Sequence, residues 1–491
     1  MTHAPHADLP ATRLPWALLL LLCGMLSGAP MHYPAWAFVQ LAGLGGLFLC
    51  FHVRRPGFWR GILWSLSFGV GMGLTRIPYA GFRWEALLGL FLLAATAGAL
   101  FGFSAWLVRR GGGVGAALAW AGLVALVDFA LVKGLSFFGT AQMLTLPWAA
   151  APKAIAFAAL WGWASVTFFV AGFAALAALL FERGAHRQAR RALVLWCLCF
   201  WLPGWFYRMS AETPQTLSAV AVGFWDMPMP EKMPARVKRW STDADALPVR
   251  AGAGESASPD AAQKALREAP QGPVFFVFPE FAFSESTNAG SQKWLAAIAG
   301  ALPQNAVAAA PWFDNAERFN QCSLLTRAGE RGLYRKTHLL RYIENYRHGP
   351  GEIVTARIDD ITVGVMICQD DNFTDVARGL SRAGAQVVGI PVMDWPGVNR
   401  IHPLSAVIRA IEGRFAVVRA AACGQSAIIS ATGETLARAE PDEVKAAGSL
   451  LIQAPVRAGA AHSRYARWGD VPLLIACALA VLQIFLPRRR T

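Results

Sequence analysis

Glu280, Lys336 and Cys368 each stand where a run of strand-forming residues gives out. Residues 274–278 are Val-Phe-Phe-Val-Phe, closed by Pro279-Glu280, and read as a buried strand that delivers a carboxylate at its end. Residues 321–326 and 332–336 read as the two strands of a hairpin, with Lys336 terminating the second. Residues 361–367 read as a further buried strand, and Cys368 follows it. Singly, each has a plainer reading: a strand-end cysteine is usually inert, a lysine after Tyr-Arg is usually a solvated charge, and a glutamate after proline is an ordinary loop residue. Together they are what acyl transfer through a thiol requires. A carboxylate can take the thiol proton, and an ammonium favours the thiolate and can stabilise the oxyanion of a tetrahedral intermediate. Glu344, eight residues beyond Lys336, offers a second carboxylate.

These positions need a scaffold, and the surrounding sequence describes one. Residues 385–392 read as strand, 403–414 as helix, 415–421 and 425–430 as strands, and 431–434 as a turn. Strands alternating with a helix and hairpins predict an α/β domain with a mostly buried sheet. Residues 251–269, rich in Ala, Ser and Glu, read as a surface helix.

The rest of the chain is apolar. Of 491 residues 55% are hydrophobic and 15% charged, against about a quarter charged in a water-soluble domain. Runs at 16–29, 33–51, 58–74, 84–108, 114–132, 154–181, 192–207 and 471–486 read as eight membrane spans. Arg54, Arg55, Arg60, Arg109, Arg110, Arg183, Arg187, Arg190 and Arg191 fall in alternate loops, and Arg488, Arg489 and Arg490 in the tail. The positive-inside rule then puts both termini in the cytoplasm and the α/β part outside, where ATP and acyl thioesters of coenzyme A are not at hand. The expected division is a transmembrane part over 1–209, an extracytoplasmic catalytic domain over 210–467, and a last span with a basic tail over 468–491. Asp128, inside the fifth run, is costly in lipid and is expected to face protein or water, in either a structural or a functional role. The net charge of +14 reads as arginine flanking spans, with no zinc-finger spacing, phosphate loop or basic aromatic-interleaved helix to suggest nucleic acid. Cys322, Cys368 and Cys423 are an odd number without metal-ligand spacing, so neither a disulfide framework nor a metal is expected.

FPEFAFSES, YRKTHLLRYIEN and GVMICQDDNF, in that order, resemble the Glu, Lys and Cys motifs of the nitrilase superfamily. With the apolar runs, the chain resembles the apolipoprotein N-acyltransferase family, the membrane-bound branch of that superfamily. The likeness extends to LSGAPMHYPAWAFVQLAGLGGLFL, to WGWASVTFFVAGFAALAALL, and to HPLSAVIRAIEGRFAVVRAAACGQSAIISATGE. It implies about eight spans beside a four-layer αββα sandwich of nitrilase type. It also implies Glu280 as general base, Cys368 as nucleophile, Lys336 as oxyanion-stabilising cation and Glu344 as its support. By the same resemblance a phospholipid acyl group passes to the cysteine as a thioester, then to the N-terminal amine of a diacylglyceryl-cysteine lipoprotein in the inner membrane. No metal or cofactor is needed, and a monomer suffices.

The chain departs from that pattern around the expected substrate entrance. Gln369-Asp370 replaces Tyr-Glu, leaving Asp370 as a shorter supporting carboxylate, and Arg341-Tyr-Ile-Glu344 replaces Pro-Phe-Gly-Glu. Arg341, Arg347 and His348 offer charge for a lipid phosphate, with a solvated loop as the plain alternative, and Trp240 is set against the family's Lys-Trp position. The competing expectations are another amine acceptor (a pilin, peptide or glycolipid), a membrane-tethered amidase, and a non-catalytic assembly factor.

Overall fold

Runs rich in Leu, Ala and Phe form the helices described before residue 210: α1 (Trp16–Gly28), α2 (Val39–Arg54), α3 (Phe58–Leu74), α4 (Trp84–Val108), α5 (Gly113–Gly134), α6 (Ala158–Trp161), α7 (Ala164–Ala178) and α8 (His186–Met209). The computed structural model describes residues 16–76, 84–134, 139–182, 185–224, 272–284, 287–340, 344–394, 398–399, 401–447 and 449–483. Trp240, Arg341, the expected helix at 251–269 and the basic tail lie outside the described residues.

Among these, four helices are long and apolar enough to cross a membrane: Leu88–Val108, Gly113–Gly134, Ala164–Phe181 and His186–Met209. At 1.5 Å per residue a hydrocarbon core of about 30 Å takes about 20 residues, and α1, α2 and α3 have 13, 16 and 17. The run expected as one span over 154–181 is broken. Gly162 sits at φ 81, and a side chain there would begin 2.1 Å from the ring of Tyr465, so the long helix starts only at Ala164. Asp128 proves to be a staple: it accepts the Leu144 N–H at 3.1 Å and the Thr167 hydroxyl at 2.6 Å. That pins the loop of 3₁₀ turns at Gly139–Gln142 and Leu146–Ala150 among the helices.

The second part consists of β1 (Glu212–Phe224), β2 (Val274–Val277), α9 (Asn288–Ala301), β3 (Ala306–Asp314), β4 (Phe319–Thr326), β5 (Gly329–Arg335), β6 (Thr355–Ile358), β7 (Ile361–Val365), α10 (Thr374–Arg382), β8 (Val387–Met393), α11 (His402–Gly413), β9 (Ala416–Ala422), β10 (Ser426–Ile429), β11 (Thr435–Ala439), α12 (Pro441–Ala447) and β12 (Ser449–Gly459). It is followed by the short α13 (Arg464–Trp468) and by α14 (Val471–Leu482), whose 12 residues fall within the expected span at 471–486, of which 484–486 lie outside the described residues.

The ladder runs β5-β4-β3-β2-β1-β9-β8-β7-β6. Its two halves meet through the parallel pair Phe224–Ala422. They fold face to face: a methyl at Gly389 of β8 would touch Phe275 and Val277 of β2, both at 3.0 Å. Leu295, Ile298 and Ala299 of α9 cover one outer face with Phe276 and Ala308. Val376 and Leu380 of α10 and Ala406 and Ala410 of α11 join the core of the other half. The expected hairpin, the helix at 403–414 and the strands on either side of it are present with ends moved by a few residues.

Candidate active site

Strand β2 ends two residues before Pro279, and Glu280 follows with its side chain 1% exposed. One carboxylate oxygen accepts from Asn320 Nδ2 at 2.6 Å and from Lys336 Nζ at 2.9 Å. The other accepts the Met393 N–H at 3.0 Å. Lys336, one residue past β5, is anchored through its backbone, its N–H donating to Asn320 and its carbonyl accepting from Gly349, both at 2.8 Å. Its ammonium also donates to Glu344 Oε1 at 2.7 Å. The remaining oxygen of Glu344 accepts the Leu340 N–H at 2.8 Å, which fixes the loop carrying it.

Cys368 opens a 3₁₀ turn, Cys368–Asn372, just past β7. It has φ 44, a left-handed conformation uncommon for a residue with a Cβ. Its Sγ–H donates to the Met393 carbonyl at 3.9 Å. Met393 therefore touches the thiol with its carbonyl and Glu280 with its N–H, so one residue at the end of β8 gathers two of the three expected residues. Asp370 is buried beneath the turn and accepts from Tyr334 Oη at 2.7 Å, the His338 N–H at 2.7 Å and the Ile367 N–H at 3.1 Å. It buttresses the site; the bonds tie the strand before Lys336 to the turn of Cys368.

Burial sets the electrostatics. It pushes the Lys336 ammonium down, but Glu280 and Glu344 more than offset it, and the lysine is held well above its ordinary value as a cation. Burial raises Glu280, opposed chiefly by Lys336. Burial and then Glu280 push the Cys368 thiol well up, with Lys336 pulling the other way. Burial thus favours the thiol over the thiolate, and a cysteine so held would need a base to act as a nucleophile. Asp370 is raised by burial to about 6.

The remaining expected contacts divide. Arg347 is 61% exposed, pairs with Glu317 at 2.5 Å and lies over Phe319, which fits a solvated loop. His348 is exposed, its Nδ1 2.9 Å from the Thr337 carbonyl. It lines a cavity of about 290 Å³ together with Lys133, Thr140, Trp163, His338 and Phe373. That cavity lies between the helical part and the cysteine turn. Lys133 Nζ donates to Thr374 at 2.9 Å and Thr140 Oγ1 to the Asn372 carbonyl at 3.0 Å. Gly139, at φ 50, has no room for a side chain, since a Cβ would lie 2.2 Å from the Asn372 oxygen.

Sequence reasoning missed Asn320, Tyr334, Met393, Asp394 and His402, the last two forming a buried ion network next to the turn. Of these, Tyr334 and His402 stand first in quoted motifs, His402 immediately before the helix predicted over 403–414. Among the described residues no cluster of three or more His, Cys, Asp or Glu is arranged to hold a metal ion.

Residues 262–460 match the carbon-nitrogen hydrolase family. A hydrolase of Pseudomonas protegens is 29% identical over 144 residues, 27% of this chain and 50% of that protein. A nitrilase of Pyrococcus abyssi is 29% identical over 37% of this chain and 75% of its own length. An apolipoprotein N-acyltransferase of Geobacter metallireducens is 30% identical over 22% of this chain and 21% of its own. The chain thus spans half the length of the first of these relatives and about a fifth of the last. Among solved structures, a Saccharomyces cerevisiae member of branch 10 of the nitrilase superfamily is 20% identical, with a TM-score of 0.38, 50% of this chain and 90% of that one covered. An amidase from Nesterenkonia sp. is 15% identical, with a TM-score of 0.37, 54% of this chain and 95% of that one covered. Over residues 262–460, then, the chain is similar to the carbon-nitrogen hydrolase family.

Proposed function

We propose that the protein is a membrane acyltransferase that moves a fatty acyl group from phospholipid, through a thioester on Cys368, to the N-terminal amine of a diacylglyceryl-cysteine lipoprotein. The carrying observation is the position of the cysteine turn. It holds Cys368 beside the buried Glu280–Lys336–Glu344 cluster and is itself bonded to the helical part through Thr140. A thiol so placed works at the edge of a bilayer. The helices favour that setting: α8 leaves Val194, Leu195, Leu198, Leu202 and Trp205 exposed, an apolar face suited to lipid. On this reading all eight apolar runs belong to the membrane part (1–209 and 468–491), both termini are cytoplasmic, and the domain at 210–467 faces the periplasm.

In the first half-reaction the Glu280 carboxylate takes the Sγ proton as sulfur attacks the lipid ester carbonyl. Two of the three Lys336 N–H donors hold the glutamates, and the third serves the oxyanion. As the intermediate collapses, the C–O bond breaks and the protonated Glu280 returns its proton to the lysophospholipid alkoxide. In the second, the amine attacks the thioester, Glu280 takes the amine proton, and the departing thiolate receives it. The cavity lined by Lys133 and His348 accommodates the lipid headgroup. A second reading, hydrolysis of the acyl-enzyme by water, is favoured by the hydrolase and nitrilase among the relatives.

Intact-protein mass spectrometry after incubation with phospholipid vesicles separates the two. A fatty-acyl mass gain is expected, absent in Cys368→Ala and discharged by a peptide bearing an N-terminal diacylglyceryl-cysteine. Discharge at the same rate without peptide would favour hydrolysis. No adduct on folded protein would rule out a phospholipid donor.

A further inference from the structure

His402 opens α11 and is 6% exposed. Its Nδ1 lies 2.6 Å from Asp394 Oδ1 and its Nε2 2.8 Å from Asp371 Oδ1. An ionised carboxylate only accepts, so an imidazole held between two of them donates from both nitrogens and carries a positive charge. The second oxygen of Asp394 accepts from Arg419 Nη2 at 2.7 Å. Four buried charges of alternating sign, Asp371, His402, Asp394 and Arg419, thus form one chain. Its ends are informative. Asp371 belongs to the turn that Cys368 begins. Asp394 follows Met393, whose carbonyl meets the thiol and whose N–H holds Glu280.

We propose that His402 is a positioning residue for the nucleophile: an imidazolium strap that fixes the Cys368 turn against the end of β8 and cancels carboxylate charge beside the sulfur. Without the strap, Asp371 and Asp394 would be buried carboxylates with Arg419 as their one cation in the chain, next to a sulfur that must become negative. The charges acting on Cys368 are those of Glu280, Lys336, Asp394 and Glu344. Those facing His402 are Asp371, Asp394 and Arg419, whose Nη2 binds Asp394 and also lies 3.2 Å from the His402 Nδ1. Ser405, on the same helix, holds the same turn without charge, donating to Asn372 Oδ1 at 2.6 Å. It is the natural control.

The inference rests on Cys368 being the nucleophile but needs no acyl donor. The full-length protein in detergent is treated with iodoacetamide over about pH 6 to 10, and Cys368 modification is followed by peptide mass spectrometry. In His402→Gln, modification near neutral pH is expected to slow by about 10-fold or more, with the midpoint of its pH profile moved upward. Ser405→Ala should keep the wild-type midpoint. A wild-type profile in His402→Gln overturns the proposal, as does the same displacement in Ser405→Ala. Should His402→Gln not fold, ¹⁵N-histidine NMR of the wild-type protein decides. One imidazole should keep both ring protons at about pH 8, where an ordinary histidine has lost one, and the absence of such a signal overturns the proposal. Loss of lipid transfer with the labelling shift intact would sink the acyltransferase reading and leave this one standing. Failure of wild-type Cys368 to label would remove the nucleophile itself.

Discussion

Tyr334 and Asp370 meet in a 2.7 Å hydrogen bond beneath the site, joining the strand that ends in Lys336 to the turn that begins with Cys368. Tyr334 is fully buried, and Asp370 accepts two backbone N–H groups besides. The two residues hold the cation and the thiol in register although neither is expected to touch substrate.

Their substitutions should therefore differ in kind. Tyr334→Phe removes one donor from a carboxylate that keeps two others, and should cost about 1 kcal/mol. Asp370→Ala takes the acceptor from three donors at once, the buried Tyr334 hydroxyl and Ile367 N–H and the part-buried His338 N–H, and should cost about 3 kcal/mol or more. Chemical unfolding in detergent, with the amount of Cys368 acyl adduct as a second readout, checks both. Equal costs would mean that the bonds do not carry the register.

Removing the cation should be a matter of stability before it is one of rate. Lys336→Met leaves Glu280 and Glu344 buried without their partner, a loss of about 3–5 kcal/mol. Adding Glu280→Gln removes one of the two stranded charges and should raise the unfolding midpoint again. A double variant no more stable than the single one would show that the lysine acts through packing alone.

Alkaline stability should follow His402. Its folded value is about 9 against an ordinary 6.5; burial lowers it, and Asp371 and Asp394 more than reverse that. The folded protein keeps this proton where the unfolded chain has released it, so the contribution is complete below 6.5 and is lost as pH rises through 9. Asp394 has the opposite sign. Held at about 2 against 3.8, it contributes above 3.8 and loses that contribution as pH falls toward 2. Glu412, raised by burial to about 7, also titrates below that pH, so the clean interval lies above it. The thermal midpoint should fall between about pH 7 and 9 and stay nearly flat there in His402→Gln. An unchanged slope in the variant would assign the alkaline limb to another group.

Glu280, Lys336 and Cys368 were legible because local chemistry marks the ends of β2, β5 and β7: a Val/Phe run stopped by Pro279, a hairpin, and an Ile/Val run. What surrounds them was not. Asn320 reaches Glu280 because β4 lies against β3 and β5, with Asn320 opposite Phe313 and Cys322 opposite Tyr334, and no periodicity encodes that register. β3 itself is Ala-rich and contains Pro311, residues that strands usually avoid, so it gave no strand signal. The apolar runs were legible as helices but not as lengths. Gly162 breaks the sixth because Tyr465, three hundred residues later, takes the space beside it.

The bond from Thr140 to the Asn372 carbonyl, with Gly139 pressed on the same oxygen, makes the cysteine turn the joint property of both parts of the chain. The α/β part is then no detachable cassette. Cut free of the helices, it would expose one side of the turn that carries Cys368. Exchanged for the domain of a relative, it would meet a loop at 139–140 shaped for a different partner. Chimaeras should hold activity only where 139–140 and 372 are moved as a set. The two parts are also expected to change together over time, a substitution at one contact being tolerated once its counterpart has changed.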